Sequence, residues 1–401
     1  MRCVQLTIIV FVLSGMSSAA IPPLYRVTDL GTLGGENSRA TGVNAAGQVI
    51  GNSQLPDGTQ HAFLFTGGMM IDLGDLGGGE SSAGDLNNAG DVVGTSRSAD
   101  GTIQVAFLYH DGSMSAVPGL ESTYSEATGI NDSGAICGSS MTNEFFMRAW
   151  VYHDGALHDL GTLGGNTSVA RRINSQGWVV GESSAYSDRP LYAFADREGV
   201  LEPLWTIAGM GSEAIDINSA GQIVGIFSLN SEWFNAYLYD GLPVSVIGTF
   251  GGHSSFAFGI NASAQVVGTA QNDAGWWRPY IYENGTMVEL NSRLHCRDAE
   301  WRIVRASDIN DSGQIAAEGY FGPGGSHEHA LLLTPTSEAN YLPGDIDGDW
   351  AVTLNDLALL LSNFGLDVGA TANQGDMDAD GDVDLADLSA MLAHYGSTCL
   401  Q

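Results

Sequence analysis

The chain has no lysine. All 14 of its basic residues are arginine, none lies beyond Arg305, and the formal net charge is −32. A surface of that sign repels nucleic acid and anionic lipid headgroups, so cations are the expected partners. Cysteine is scarce as well, at 4 residues in 401. No disulfide framework is implied, and Cys137, Cys296 and Cys399 allow at most one internal pair once the N-terminal segment is removed. The apolar run from Thr7 to Leu13, behind Arg2, is too short to span a bilayer. Followed by Ser17, Ser18, Ala19 and Ala20, it predicts a secretory signal peptide over residues 1–20, an extracellular or cell-surface protein, and no membrane span. Specific catalytic signatures are missing too: no H-E-x-x-H, G-x-S-x-G, Walker loop or S-x-D-x-G-x-x-W occurs.

What is present is repetition. Asn44, Asn87, Asn131, Asn174, Asn218, Asn261 and Asn310 hold the same place in one phrase, at intervals of 43, 44, 43, 44, 43 and 49 residues. In the first copy Ser38 to Asn44, a turn at Ala45-Ala46-Gly47, and Gln48 to Gly51 read as a β-hairpin. His61 to Phe65 and Met69 to Leu73 supply a third and a fourth strand across Thr66-Gly67-Gly68. The same turn recurs as Asp111-Gly112, Asp154-Gly155, Asp240-Gly241 and Asn284-Gly285, dipeptides that suit the positive φ of a two-residue hairpin. Four short antiparallel strands per repeat predict a propeller blade.

The ends complement each other. A lone fourth strand, Tyr25 to Leu30, opens the chain, and the last repeat stops after its third strand, His329 to Leu333. Their union predicts an all-β, seven-bladed β-propeller over residues 25–335 with no exposed sheet edge. An open β-solenoid is the alternative. His61-Ala62-Phe63, Asp29-Leu30-Gly31-Thr32-Leu33-Gly34-Gly35 and its second copy, Asp159 to Gly165, resemble secreted bacterial proteins with HAF repeats. That resemblance implies export and repetition and brings no chemistry.

After a linker at 336–343 the composition changes. Residues 344–394 hold eleven Asp and no basic residue. Asp345, Asp347, Asp349, the Ala351 carbonyl, Thr353 and Asp356 stand at the ligand positions of a 12-residue loop, and Asp376, Asp378, Asp380, Asp382, Asp384 and Asp387 repeat the arrangement. Hard oxygen donors so spaced suit Ca²⁺, at two sites. Helices over Asn355–Asn363 and Ala386–Tyr395 follow, with Leu357, Leu360, Leu361 and Leu388, Met391, Leu392 as their apolar faces. The module, a small α-helical EF-hand domain over 344–395, resembles a type I dockerin and so implies a cohesin-like or cell-surface protein partner. Trp350 stands where the first loop's turn usually takes Gly, and Leu354-Asn355 and Leu385-Ala386 replace a common Ser-Thr pair.

The second-to-third-strand connections vary while the strands do not. From the third repeat onward they carry Phe145, Phe146, Tyr186, Trp233, Phe234, Trp276, Trp277, Tyr320 and Phe321. These are candidate stacking platforms for glycan, or else packing between blades. His110, His153, His327 and His329 read as turn or repeat positions and not as metal ligands. The expected function is a non-catalytic extracellular binding or scaffold module. The alternative is a polysaccharide-degrading hydrolase or lyase, which requires two carboxylates converging near the central channel.

Overall fold

Each repeat folds into one four-stranded antiparallel sheet, and seven such sheets make up a closed β-propeller. The computed structural model describes residues 23–396 apart from 121–123, 187–188, 205–210, 229–231, 242, 338–343, 348–350, 367–368 and 379. The expected signal segment, most of the expected linker, Asp349, Trp350 and Cys399 lie outside the described residues.

In the first blade, Ser38–Val43, Val49–Gln54, Gln60–Thr66 and Met69–Asp72 pair in chain order, from the innermost strand outward. The glycine that ends each V-V-G phrase is required by crowding. A Cβ at Gly138 or Gly225 would collide with the carbonyl oxygen of Glu126 or Glu213 on the innermost strand, and the ring of Trp150 or Tyr237 already covers the same spot. The core is divided among the blade interfaces. Val49 and Phe63 of the first blade pack with Ala316 and Ala330 of the last, while Ile50 and Ala62 pack with Ala83 and Phe107 of the second. Small alanines opposite large rings let neighbouring sheets approach without cavities.

The last blade is completed from the other end of the chain. Leu24–Asp29 pairs antiparallel with His329–Thr336, in register from Leu24 opposite Thr336 to Asp29 opposite Leu331. The Asp298 carboxylate fastens this strand further, accepting from Arg26 Nε at 2.6 Å and from the Val27 amide at 3.2 Å, while the His295 amide donates to the Tyr25 carbonyl. The closed ring, and not the solenoid, is the observed architecture.

The repeated Asn residues explain why the ring holds. Every one sends its side-chain amide to the backbone carbonyl of the equivalent Asn in the next blade, at 2.8 to 3.5 Å. The seventh, Asn310, donates to Asn44 and closes the circuit. Each side-chain oxygen meanwhile accepts the amides two and four residues on, as Asn44 does from Ala46 and Gln48, which shapes the turn.

That turn needs a left-handed residue three places after the Asn. Gly47, Gly90, Gly134, Gly177, Gly221 and Gly313 supply it, and Ala264 takes the same position at φ 59°. A Cβ in that region costs about 1–2 kcal/mol, and glycine's extra freedom in the unfolded chain offsets part of that. Ala264→Gly is therefore expected to stabilise the propeller by about 0.5–1 kcal/mol, seen as a higher midpoint in urea. A lower midpoint would show that the blade does not enforce this geometry.

The hairpin turns follow expectation at Asp111-Gly112, Asp154-Gly155 and Asn284-Gly285, where both residues have positive φ. At Asp240-Gly241 only the glycine does, whereas Glu198-Gly199, which composition does not flag, adopts the two-residue form. Cys137 is buried and free.

The C-terminal module holds two helices, α1 (Leu354–Asn363) and α2 (Leu385–His394). Leu360 and Met391 are fully buried between them, with Leu357 and Leu388 at the margin. Leu361 and Leu392 were expected on that apolar face but are 51% and 53% exposed, because their turn of the helix points away from the partner. Cys296 packs in the same small core, with Val352 and Val383, and is in a disulfide whose partner lies outside the described residues. Among the described residues, no helix is long and apolar enough to cross a membrane.

Candidate functional site

The innermost strand of every blade carries the same irregularity, a register shift such as that between Ala40 and Gly42. A bulge of this kind re-aims the residue that follows it. Around the ring these residues are Gly42, Asp85, Gly129, Arg172, Asp216, Gly259 and Asp308. Each Asp bridges two blades. Asp85 accepts from its neighbour Leu86 and from Ile130 in the next blade, Asp216 from Ile217 and Ile260, and Asp308 from Ile309 and Val43. Between the last two of these blades the fit is tight, since a Cβ on Gly259 would run into Asp308.

Arg172 and the three carboxylates share one electrostatic neighbourhood. Burial raises the pKa of Asp85 and Asp216 against the pull of Arg172. Burial and then the Asp216 charge push Asp308 up to about 7. The folded state thus retains a proton that an unfolded Asp releases near pH 4. Stability from this group is complete below that pH and is lost as pH rises through about 7. Asp308→Asn is expected to flatten the dependence of the melting temperature on pH between 5 and 8 relative to the parent, whatever its effect on absolute stability. An unaltered slope would place the proton elsewhere.

Above the channel, on the face of the second-to-third-strand connections, the sequence diverges from blade to blade. Just before the invariant alanines (Ala40, Ala83, Ala127, Ala170, Ala214, Ala257, Ala306), cross-strand pairs read Arg39 with Asn52, Glu126 with Ser139, Val169 with Glu182, Glu213 with Ile226, Phe256 with Thr269 and Arg305 with Glu318. The mouth is consequently lopsided. In the fourth and fifth blades one nitrogen of Arg171 holds Glu182 at 3.1 Å and Glu213 at 2.7 Å. Burial, then the Glu213 charge, pushes Glu182 up to about 7 although Arg171 pulls the other way. At the seventh blade Arg39 bonds Glu328 at 2.8 Å and Glu318 at 3.4 Å, and Arg305 lies 3.8 Å over the Phe258 ring.

Between these charged zones runs an aromatic row: Phe234 on Phe256 at 5.9 Å, Phe256 on Phe258 at 6.1 Å, and Trp277 against Phe256 at 5.3 Å. Trp233 stacks on His253 at 4.3 Å. Of the connection aromatics, Phe145 is 81% exposed, Tyr186 97%, Trp276 64% and Trp277 42%, whereas Trp233, 38% exposed, and Phe234 reach across to the sixth blade, where they stack on His253 and Phe256. The structure joins Trp277 to the row through Phe256, whereas among the described residues no ring contact links Phe145, Phe146, Tyr186 or Tyr320 to it. Phe256, Phe258 and the Arg171 cluster were missed by sequence reasoning, which looked at connections. The signal for them was the variability beside a constant alanine.

The histidines are accounted for locally. His61 bonds Asp72 at 2.8 Å and His329 bonds Asp29 at 2.9 Å, from equivalent positions on the third and fourth strands of their blades. Arg148 with Asp159 and Arg278 with Glu289 repeat the pairing. The H-A-F and D-L-G phrases are thus two halves of one cross-strand pair, a His–Asp hydrogen bond in some blades and an Arg–carboxylate ion pair in others. His110 lies exposed and His153 half-buried beside their turns, near Asp91 and Asp154.

In the module, Asp345, Asp347 and Asp356 bring oxygens within 4.8 Å of one another, as do Asp376, Asp378 and Asp380, and Asp382, Asp384 and Asp387. The residues fit a hard cation. Asp376 is buried, and its Oδ1 has no hydrogen-bond partner, as does Oδ1 of Asp382. Mutual repulsion reinforces desolvation in raising the pKa of Asp378 and Asp382. Asp356 and Asp387 differ. Burial would raise them, but backbone amides, among them those of Thr353 and Asp384, outweigh it and hold both below the usual range. Thr353 with Asp356 and Asp384 with Asp387 form capping boxes that start α1 and α2, so the last carboxylate of each loop is also the first fastening of its helix.

No family model matches the sequence, and no curated protein matches it. Solved structures do. The β-propeller domain of the trilobed protease from Pyrococcus furiosus, described as having an open velcro topology, is 11% identical with a TM-score of 0.51, over 78% of this chain and 94% of that one. A puromycin-hydrolyzing peptidase of Mycobacterium tuberculosis is 11% identical with a TM-score of 0.50, over 80% of this chain and 55% of that one. This likeness identifies the propeller fold alone. Unlike an open ring, the present chain seals its last blade with Leu24–Asp29.

Proposed function

We propose that the chain is an exported, calcium-binding repeat protein of the HAF type whose propeller binds glycan without catalysis and whose dockerin-like module docks to a protein partner. The observation that carries the reading is the placement of Trp233, Trp276 and Trp277 on one open face, beside the row of Phe234, Phe256 and Phe258. Large apolar rings left in water on a rigid scaffold suit stacking against sugar rings. Binding is favoured over hydrolysis by the way close carboxylates at the mouth are held by arginine, Glu318 with Glu328 by Arg39 and Glu182 with Glu213 by Arg171. Glu182 and Glu213 share a single Arg171 nitrogen, and that nitrogen fills the space in which a retaining glycosidase seats the sugar carbon. Replacing Trp276 or Trp277 by Ala is expected to reduce retention on insoluble polysaccharide at least fivefold with little change in melting temperature. A large stability loss, or a parent protein retained on no polysaccharide, would overturn the reading.

The module's part rests on its carboxylates. When bound, Ca²⁺ supplies the charge that lets the loop residues sit together, and Asp345, Asp347, Asp356, Asp376, Asp378 and Asp380 are the side chains that would hold it. Its helices display equivalent apolar pairs 31 residues apart, Leu354 with Leu385 and Leu361 with Leu392, all more than half exposed, which suits a symmetric docking surface. Calorimetric titration of the full chain is expected to give two Ca²⁺ sites with dissociation constants of about 10⁻³ M or tighter. The double replacement Asp345→Ala and Asp376→Ala should abolish both. Absence of heat in the parent would refute the calcium assignment.

A further inference from the structure

The Arg171 cluster borders a cavity of about 670 Å³ between the fourth and fifth blades, lined by Glu182, Arg189, Pro190, Leu191, Glu213 and Phe234 among others. It opens on the same face as the exposed tryptophans, and Phe234 belongs both to its wall and to the aromatic row. The glycan reading above says nothing of where a sugar would be held. We infer that this cavity is the specificity subsite for an uncharged sugar unit, with Glu182 and Glu213 accepting its hydroxyls and Phe234 stacking on its ring. The inference rests on the glycan-binding reading and deepens it.

Charge selects the ligand class. Arg171 and Arg189 face Glu182, Glu213 and, behind them, Glu126, and Glu182 still holds part of a proton near neutral pH, so positive and negative charge nearly cancel at the cavity. A cationic ligand would have to compete with Arg171 for oxygens it already holds at 3.1 and 2.7 Å. An anionic ligand would meet both carboxylates. A neutral polyol does neither, since its hydroxyls donate to carboxylate oxygens, which can each accept more than one bond. Glu182 and Glu213 remain 15% and 22% exposed, enough to be reached, while their shared guanidinium holds them in one orientation before a ligand arrives. The volume falls within the range of about 300–1,000 Å³ usual for small-molecule sites and exceeds that of a single sugar, so further units of a chain could extend toward Phe256 and Trp277.

The test is calorimetric titration of the full-length protein with soluble hexasaccharides of neutral β-linked glucose, xylose and mannose, and of acidic galacturonate. Parallel titrations use Phe234→Ala, Glu213→Gln and, as a control on the outer strand of the fourth blade, Val200→Ala. At least one neutral hexasaccharide is expected to bind with one site per chain. Phe234→Ala and Glu213→Gln should weaken it tenfold or more, and Val200→Ala less than twofold. Should Glu213→Gln lose folded structure, Phe234→Ala decides. Binding by the parent that both variants leave unchanged would overturn the subsite while sparing the glycan reading. A preference for galacturonate would overturn the charge argument. Failure of the parent to bind any soluble or insoluble glycan would sink both together.

Discussion

A primary amide buried in protein must place two donors and an acceptor, and seven such amides placed identically determine what this molecule can be. Each Asn spends its acceptor on its own turn and a donor on the next blade's backbone, so the turn and the blade interface are specified by the same side chain. Because a donated bond of this kind always points to the following blade, the pattern has no natural end until it meets its own beginning, at Asn310 and Asn44. Closure follows from satisfying the last donor. Leaving it unpaired would cost about 1–3 kcal/mol, before the exposed edge of an unfinished blade is counted.

With the ring secured from one face, the rest of the innermost strand is free to vary except where packing between blades pins it. The invariant alanines are pinned between blades, and after the bulge the absence of a side chain at Gly259 leaves room for Asp308 of the next blade. Beyond the alanines no such constraint applies. Arginine, glutamate, phenylalanine and valine occupy equivalent places there, and their differences make one side of the mouth charged and another aromatic. A symmetric scaffold has acquired an asymmetric opening, which is what recognition of an unsymmetrical ligand requires.

Periodicity made the architecture legible. The Asn phrase reported a local event repeated seven times and the hairpin dipeptides one repeated in several blades, and local events are what sequence spacing encodes. The one long-range pairing, of the chain ends, was legible because each end was an incomplete copy of the repeat. The loop carboxylates were legible as local events, since their spacing along the chain is their geometry. Arg171 with Glu182 and Glu213, or Arg172 with Asp85, Asp216 and Asp308, could not be read this way. Their partners come from different blades, and each residue taken alone looks like a departure from the repeat. The helix faces were half legible: Leu357 and Leu360 turn inward, but Leu361 does not, because two short helices bury a narrower stripe than a larger core would.

One short segment connects the two parts of the chain. Cys296 lies in the module's core beside Val352, Leu360, Val383 and Met391, while His295 and Asp298, on either side of it, hold Tyr25, Arg26 and Val27 of the sealing strand. The module therefore does not hang from the propeller as an independent bead. Its core and the seal of the ring meet at Cys296, which a disulfide also anchors. Any order gained in the acidic loops is passed to α1 and α2 through the capping boxes at Asp356 and Asp387, and from those helices to the packing around Cys296. A cation held by these carboxylates would thereby sit in mechanical series with the strand that completes the last blade.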